Sequence, residues 1–146
     1  MGAWGTGGLE NDDALDLLGD LMDDLQESGA KAPFKALGII FRDALNEESR
    51  ECLEAADGTS AIAAAELVAA AIGKPATDLP EPAREWLAAI GGAKPPAPMV
   101  RQGIEAVRAV LERETSELRE LWTDAEPADY DAWQAGAREL LTRLGA

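Results

Sequence analysis

Apolar side chains recur along this chain with a helical rhythm and nowhere with the alternation of a strand, which limits the fold more than any other feature. Ala14, Leu17, Leu18, Leu21 and Leu25 fall on one side of a repeat of about 3.6 residues. Asn11 stands where a side-chain oxygen caps such a helix, and Gly29 where the helix ends. A second helix starts near Pro33 and turns Phe34, Leu37, Phe41 and Leu45 inward. Residues 46–57 admit two readings, a continuation of that helix through Glu51 or an irregular connection. Asp57-Gly58-Thr59 reads as a turn that feeds an N-cap, followed by an alanine-rich helix from Ser60 to about Ile72. Alanines let neighbouring backbones approach closely, so this helix is expected at the centre.

Prolines 80 and 82 open a short helix through Trp86, Leu87 and Ile90, which Gly91-Gly92 stop. The proline-rich run Lys94–Pro98 is read as a stiff loop within one domain. A long helix over about Met99–Trp122 follows, its apolar stripe interrupted at Glu114 and Thr115. The last helix starts at Pro127, with Tyr130, Trp133, Ala137, Leu140, Leu141 and Leu144 on its inner face. The expectation is an all-α protein: a single domain over residues 1–146, built as a compact orthogonal-type bundle of about six helices behind a glycine-rich lead. A chain of 146 residues is long enough to bury a core without disulfides or metals.

Charge narrows the partners. Twenty-eight acidic against 13 basic side chains leave a formal net charge of −15, which disfavours nucleic acid and anionic membrane surfaces and favours basic proteins. Residues 1–30 carry Glu10, Asp12, Asp13, Asp16, Asp20, Asp23, Asp24 and Glu27 with no Lys or Arg. No apolar run approaches the length of a membrane span, so no membrane role is expected. A single cysteine, Cys52, points to a reducing cytoplasm.

The opening Met1-Gly2-Ala3-Trp4-Gly5-Thr6-Gly7-Gly8-Leu9-Glu10-Asn11-Asp12-Asp13-Ala14-Leu15-Asp16 resembles a bacterial family of proteins of unknown function whose members begin M-G-x-W-G-x-G-x-F-x-N-D-x-A-x-D. Ala63-Ala64-Ala65-Glu66-Leu67-Val68-Ala69-Ala70 resembles a stretch midway along the same proteins. Leu9 replaces the family's usual Phe, and Leu17 stands where an aromatic often follows; both keep the position apolar. The resemblance implies a bacterial origin and structural roles for Gly2, Trp4, Gly5, Gly7, Asn11, Asp12 and Glu66. It implies no activity.

The glycines are read as a tight turn that tucks Trp4 against the first helices. A phosphate cradle fits badly, because neither a preceding strand nor a P-loop lysine is present and Asp12 and Asp13 would repel the anion. On the first helix, Asp23, Asp24 and Glu27 oppose the helix dipole, and Asp16/Asp20, Asp20/Asp23 and Asp20/Asp24 are like-charge pairs at helical spacing. Broken local rules of this kind mark either a solvated face or a functional one, and Asp13, Asp16, Asp20, Asp23, Asp24 and Glu27 are the candidate partner-binding residues. A divalent cation suits them less, since one helix presents carboxylates along a line. Glu66 sits among apolar helical neighbours, so it is paired, protonated or at the core edge; the expected partner is an arginine, Arg42 or one from the long helix.

No histidine is present, and Cys52, which would need another base and has Glu51 and Glu54 as acidic neighbours, reads as an inert thiol. The tryptophans are expected as core anchors. No catalytic residues, cofactor or metal ligands are identified. The function expected is a non-enzymatic acidic interaction domain, immunity-like or regulatory, that covers a basic protein. The alternatives are a carboxylate-based or metal-assisted enzyme and a structural homo-oligomer using the long helix.

Overall fold

The structure is a computed structural model that describes residues 7–28 and 32–146. The expected roles of Gly2, Trp4 and Gly5, and the stop at Gly29, lie outside the described residues. Among these residues the chain is helical throughout, in the order α1 (Asp12–Ser28), α2 (Lys35–Leu45), α3 (Glu47–Glu51), α4 (Ala55–Ala71), α5 (Glu81–Ala89), α6 (Ala97–Glu112), α7 (Glu117–Thr123) and α8 (Pro127–Leu144). Among the described residues eight helices replace the expected six, because Glu47–Glu51 forms a helix of its own and the long helix is cut in two. No described helix is long and apolar enough to cross a membrane.

The centre is α4, where every residue from Ala61 to Ala71 is buried, Glu66 included. A helix apolar on all sides must be enclosed on all sides. Helices α2, α6, α7, α8 and α1 pack around it, with α5 touching more lightly. One continuous cluster of buried residues runs from Leu9 to Leu144 through this helix. Trp86, Trp122 and Trp133 are buried in it; Phe34 meets Trp86 edge-on at 6.1 Å, and Trp122 stacks on Trp133 at 6.1 Å. The Trp86 indole N–H has no hydrogen-bond partner among the described residues.

Two boundaries differ from the sequence reading for one shared reason. Asp57-Gly58-Thr59 is not a turn: α4 starts at Ala55, and Gly58 lies inside it. A side chain at Gly58 would meet Leu118 Cβ at 3.3 Å and Val110 Cγ1 at 3.4 Å, so this glycine marks the close approach of α4 to α6 and α7. No side chain of the preceding residue caps α4; instead the Ala55 N–H donates to Glu117 Oε1 at 3.1 Å. The predicted helix over 99–122 breaks after Glu112, where the Leu53 N–H donates to the Thr115 carbonyl (3.0 Å) and the Glu117 N–H to the Leu53 carbonyl (2.9 Å). Ser116 caps α7 and its hydroxyl donates to the Val110 carbonyl at 2.6 Å. These backbone partners lie more than sixty residues apart in sequence, outside any helical window.

The 46–57 segment resolves locally. Asn46 Oδ1 accepts from the Ser49 N–H at 2.8 Å, the N-cap bond that starts α3, and the Ser49 hydroxyl donates to the Ala44 carbonyl at 2.8 Å.

Candidate functional site

Two places carry the residues singled out by the sequence. The first joins both segments that carry the family resemblance. Glu10 N–H donates to the Gly7 carbonyl at 3.1 Å, which closes a turn, and Asn11 Nδ2 donates to the Gly8 carbonyl at 3.3 Å. Asn11 Oδ1 then accepts from the Ala14 N–H at 2.8 Å and so caps α1. This turn rests directly on α4. A Cβ at Gly8 would stand 2.7 Å from Ile62 Cγ2 and 3.0 Å from Glu66 Cγ, so only glycine fits there.

Glu66 is gripped from the other side by α8. Arg143 Nη2 donates to Glu66 Oε1 at 2.9 Å and Nη1 to Oε2 at 3.0 Å, a two-point fork that occupies both carboxylate oxygens. The same guanidinium donates through Nε to Glu139 at 2.6 Å and through Nη1 to the Lys74 carbonyl at 3.2 Å. Burial alone would lower the Arg143 pKa, but the hydrogen bonds it donates to Glu66 and then to Glu139 outweigh it and hold the group above its ordinary value. The partner is therefore on the last helix, neither Arg42 nor an arginine of residues 99–122 as expected. A cavity of about 140 Å³ borders the cluster, lined by Gly7, Gly8, Ile62, Glu66 and Trp133 among others. With both oxygens of Glu66 committed to Arg143, this arrangement fastens α8 and the Gly7–Asn11 turn to α4.

The second place is the surface between α1 and α2. Helix α1 rests on α4 and α5 and makes little contact with α2, which leaves a groove between them. Leu17, Leu21, Ala36, Ile39 and Ile40 form its floor, and Asp20, Asp23, Asp24 and Glu27 its α1 side, over a volume of about 440 Å³. The groove continues past Leu25 to Pro33 and Lys35 through a further 300 Å³ or so. Ile39 is 43% exposed. The α1 acids are exposed, and among the described residues neither of the ion pairs involves one of them.

The structure thus brings four of the six candidate partner-binding residues to one groove, whereas Asp13 and Asp16 face solvent outside it. Sequence reasoning missed Ala36, Ile39 and Ile40. The signal was there, since Ile39 and Ile40 fall off the Phe34–Leu37–Phe41 face and give α2 a second apolar side. Among the described residues, no three His, Cys, Asp or Glu side chains are grouped to hold a metal ion.

Neither a curated protein nor a solved structure matches the chain. The model of a domain of unknown function, DUF4259, matches residues 2–136, which include both resembling segments, the α1 acids and Glu66. The chain belongs to the DUF4259 family.

Proposed function

We propose that the chain acts as one non-enzymatic, acidic interaction domain, immunity-like or regulatory, whose α1–α2 groove receives a cationic amphipathic helix of a basic partner protein. The observation that carries this reading is the coincidence of a partly exposed apolar floor with an acidic wall that forms no ion pair among the described residues. Charge and apolar surface then ask for the same kind of occupant, a helix with Leu- or Ile-like residues on one face and Lys or Arg beside them. Asp23, Asp24 and Glu27 oppose the α1 dipole and Asp20 has like-charged neighbours, an arrangement that a basic partner would compensate. The net charge of −15 argues against nucleic acid and anionic membranes as that partner, and an exposed single cysteine suits a reducing cytoplasm.

The other readings find less support. An enzyme built on carboxylates needs acids that converge, and those of α1 line one wall of an open groove. An oligomer along the predicted long helix loses its scaffold, because that helix ends at Glu112.

Fluorescence polarisation with a synthetic leucine–lysine amphipathic helix, and with a scrambled peptide of equal composition, tests the proposal. The amphipathic peptide binds at least about tenfold more tightly than the scrambled one, and affinity falls between about 50 and 300 mM salt. Ile39→Ser weakens it, as does the triple change Asp20→Asn, Asp23→Asn and Asp24→Asn. Equal affinity for both peptides, or indifference to these substitutions, overturns the reading.

A further inference from the structure

Outside the groove, one depression inverts the charge of the molecule. Of the chain's nine arginines, Arg50 from α3 and Arg108 and Arg113 from the end of α6 line a single open hollow of about 470 Å³ together with Leu45, Ala109, Glu105 and Glu112. Among the described residues, no carboxylate oxygen comes within 4.0 Å of any of these three guanidinium groups. Arg113 Nη1 is buried and has no hydrogen-bond partner among the described residues.

We infer that this hollow is a binding site for a small phosphate monoester, with the phosphate on Arg50, Arg108 and Arg113 and the organic part against Leu45 and Ala109. Guanidinium forks match phosphate oxygens two at a time, and three guanidinium groups that form no ion pair among the described residues line this one hollow. The open hollow leaves room beside the arginines for an organic group against Leu45 and Ala109, which favours an ester over inorganic phosphate. Glu105 and Glu112 supply acceptors for hydroxyl groups on the organic part. The net negative charge of the protein does not forbid a dianion here, because charges beyond about 8 Å are screened at physiological salt and the residues lining the hollow carry three guanidinium groups against two carboxylates. The site shares no residue with the α1–α2 groove, so either assignment can fail without the other.

The test is isothermal titration of the whole chain with glycerol 3-phosphate, inorganic phosphate and glycerol. Glycerol 3-phosphate binds saturably, at least about tenfold more tightly than inorganic phosphate, and glycerol gives no binding. Arg108→Gln and Arg113→Gln each weaken the ester at least about tenfold, whereas Arg138→Gln, on an exposed part of α8, leaves affinity unchanged. Should Arg113→Gln melt without ligand at a much lower temperature, Arg50→Gln on α3 takes its place with the same expected loss. Absence of saturable binding at about 10 mM ester, equal affinity for the ester and inorganic phosphate, or equal losses in Arg138→Gln overturns the assignment.

Discussion

Arg143, in the last turn of α8, holds Glu66, in the middle of α4, through paired hydrogen bonds of 2.9 and 3.0 Å, and Gly8 packs against the same Glu66 side chain from the opposite end of the chain. One carboxylate inside an otherwise apolar helix thereby ties three remote segments together. Both side chains are largely withdrawn from solvent, at 8% exposure for Glu66 and 14% for Arg143, so the pair is expensive to break by halves.

Replacing Glu66 with Gln removes the charge but leaves one carbonyl acceptor, and Arg143 keeps Glu139. The expected loss is about 2 kcal/mol, seen as a fall in melting temperature of about 4–8 °C. The double change Glu66→Met with Arg143→Met recovers most of it, since a packed apolar pair replaces a desolvated ionic one. An unchanged melting temperature in Glu66→Gln would show that the pair does not contribute to stability.

Two glycines in the first nineteen residues respond in opposite directions. Gly8→Ala forces a methyl group against Ile62 and Glu66 and costs about 1–3 kcal/mol. Gly19→Ala, in the exposed middle of α1 with nothing near its Cβ position, gains about 0.5–1 kcal/mol by helix propensity and lower unfolded-state entropy. Chemical denaturation of the two variants checks both signs.

Neutralising the acidic wall should stabilise the free protein. Changing Asp20, Asp23 and Asp24 to Asn removes like-charge neighbours and charges that oppose the α1 dipole, so the melting temperature rises at low salt. The gain shrinks as salt is added. A fall in melting temperature at every salt concentration would mean that these acids have favourable partners within the fold.

Asp57, in the first turn of α4, has its pKa raised above 3.8, first by burial and then by the charge of Asp43 at the end of α2. A folded-state pKa above the unfolded one means that the native state binds the proton more tightly. The stability linked to this group is complete below pH 3.8 and declines as pH rises through the raised value. Asp43→Asn relieves the repulsion and should therefore raise the melting temperature at pH 7, with the advantage fading as the pH approaches 3.8. An advantage that persists undiminished at pH 3 would assign the effect to the helix end alone.

The candidate surface was half legible. The charge run on α1 was visible because every member lies on one local element, and its conflict with the dipole could be counted residue by residue. The groove was not, since Ala36, Ile39 and Ile40 acquire meaning only once α2 lies beside α1 without closing on it. The arginine hollow was hidden for the same reason, its members being drawn from α3 and α6.

From its residues alone the chain settled its helical class, its central alanine-rich segment and the demand that Glu66 be paired, protonated or at the core edge, because spacing, side-chain volume and the cost of a buried charge act over a few neighbouring positions. Where α4 begins, where the predicted long helix breaks and which arginine answers Glu66 were decided in three dimensions. Each depends on a backbone or side-chain partner supplied from more than sixty residues away, by Glu117, Leu53 and Arg143. Local propensity carries no record of such partners, and a helix end satisfied by a distant carboxylate resembles, in sequence, an end with no cap at all.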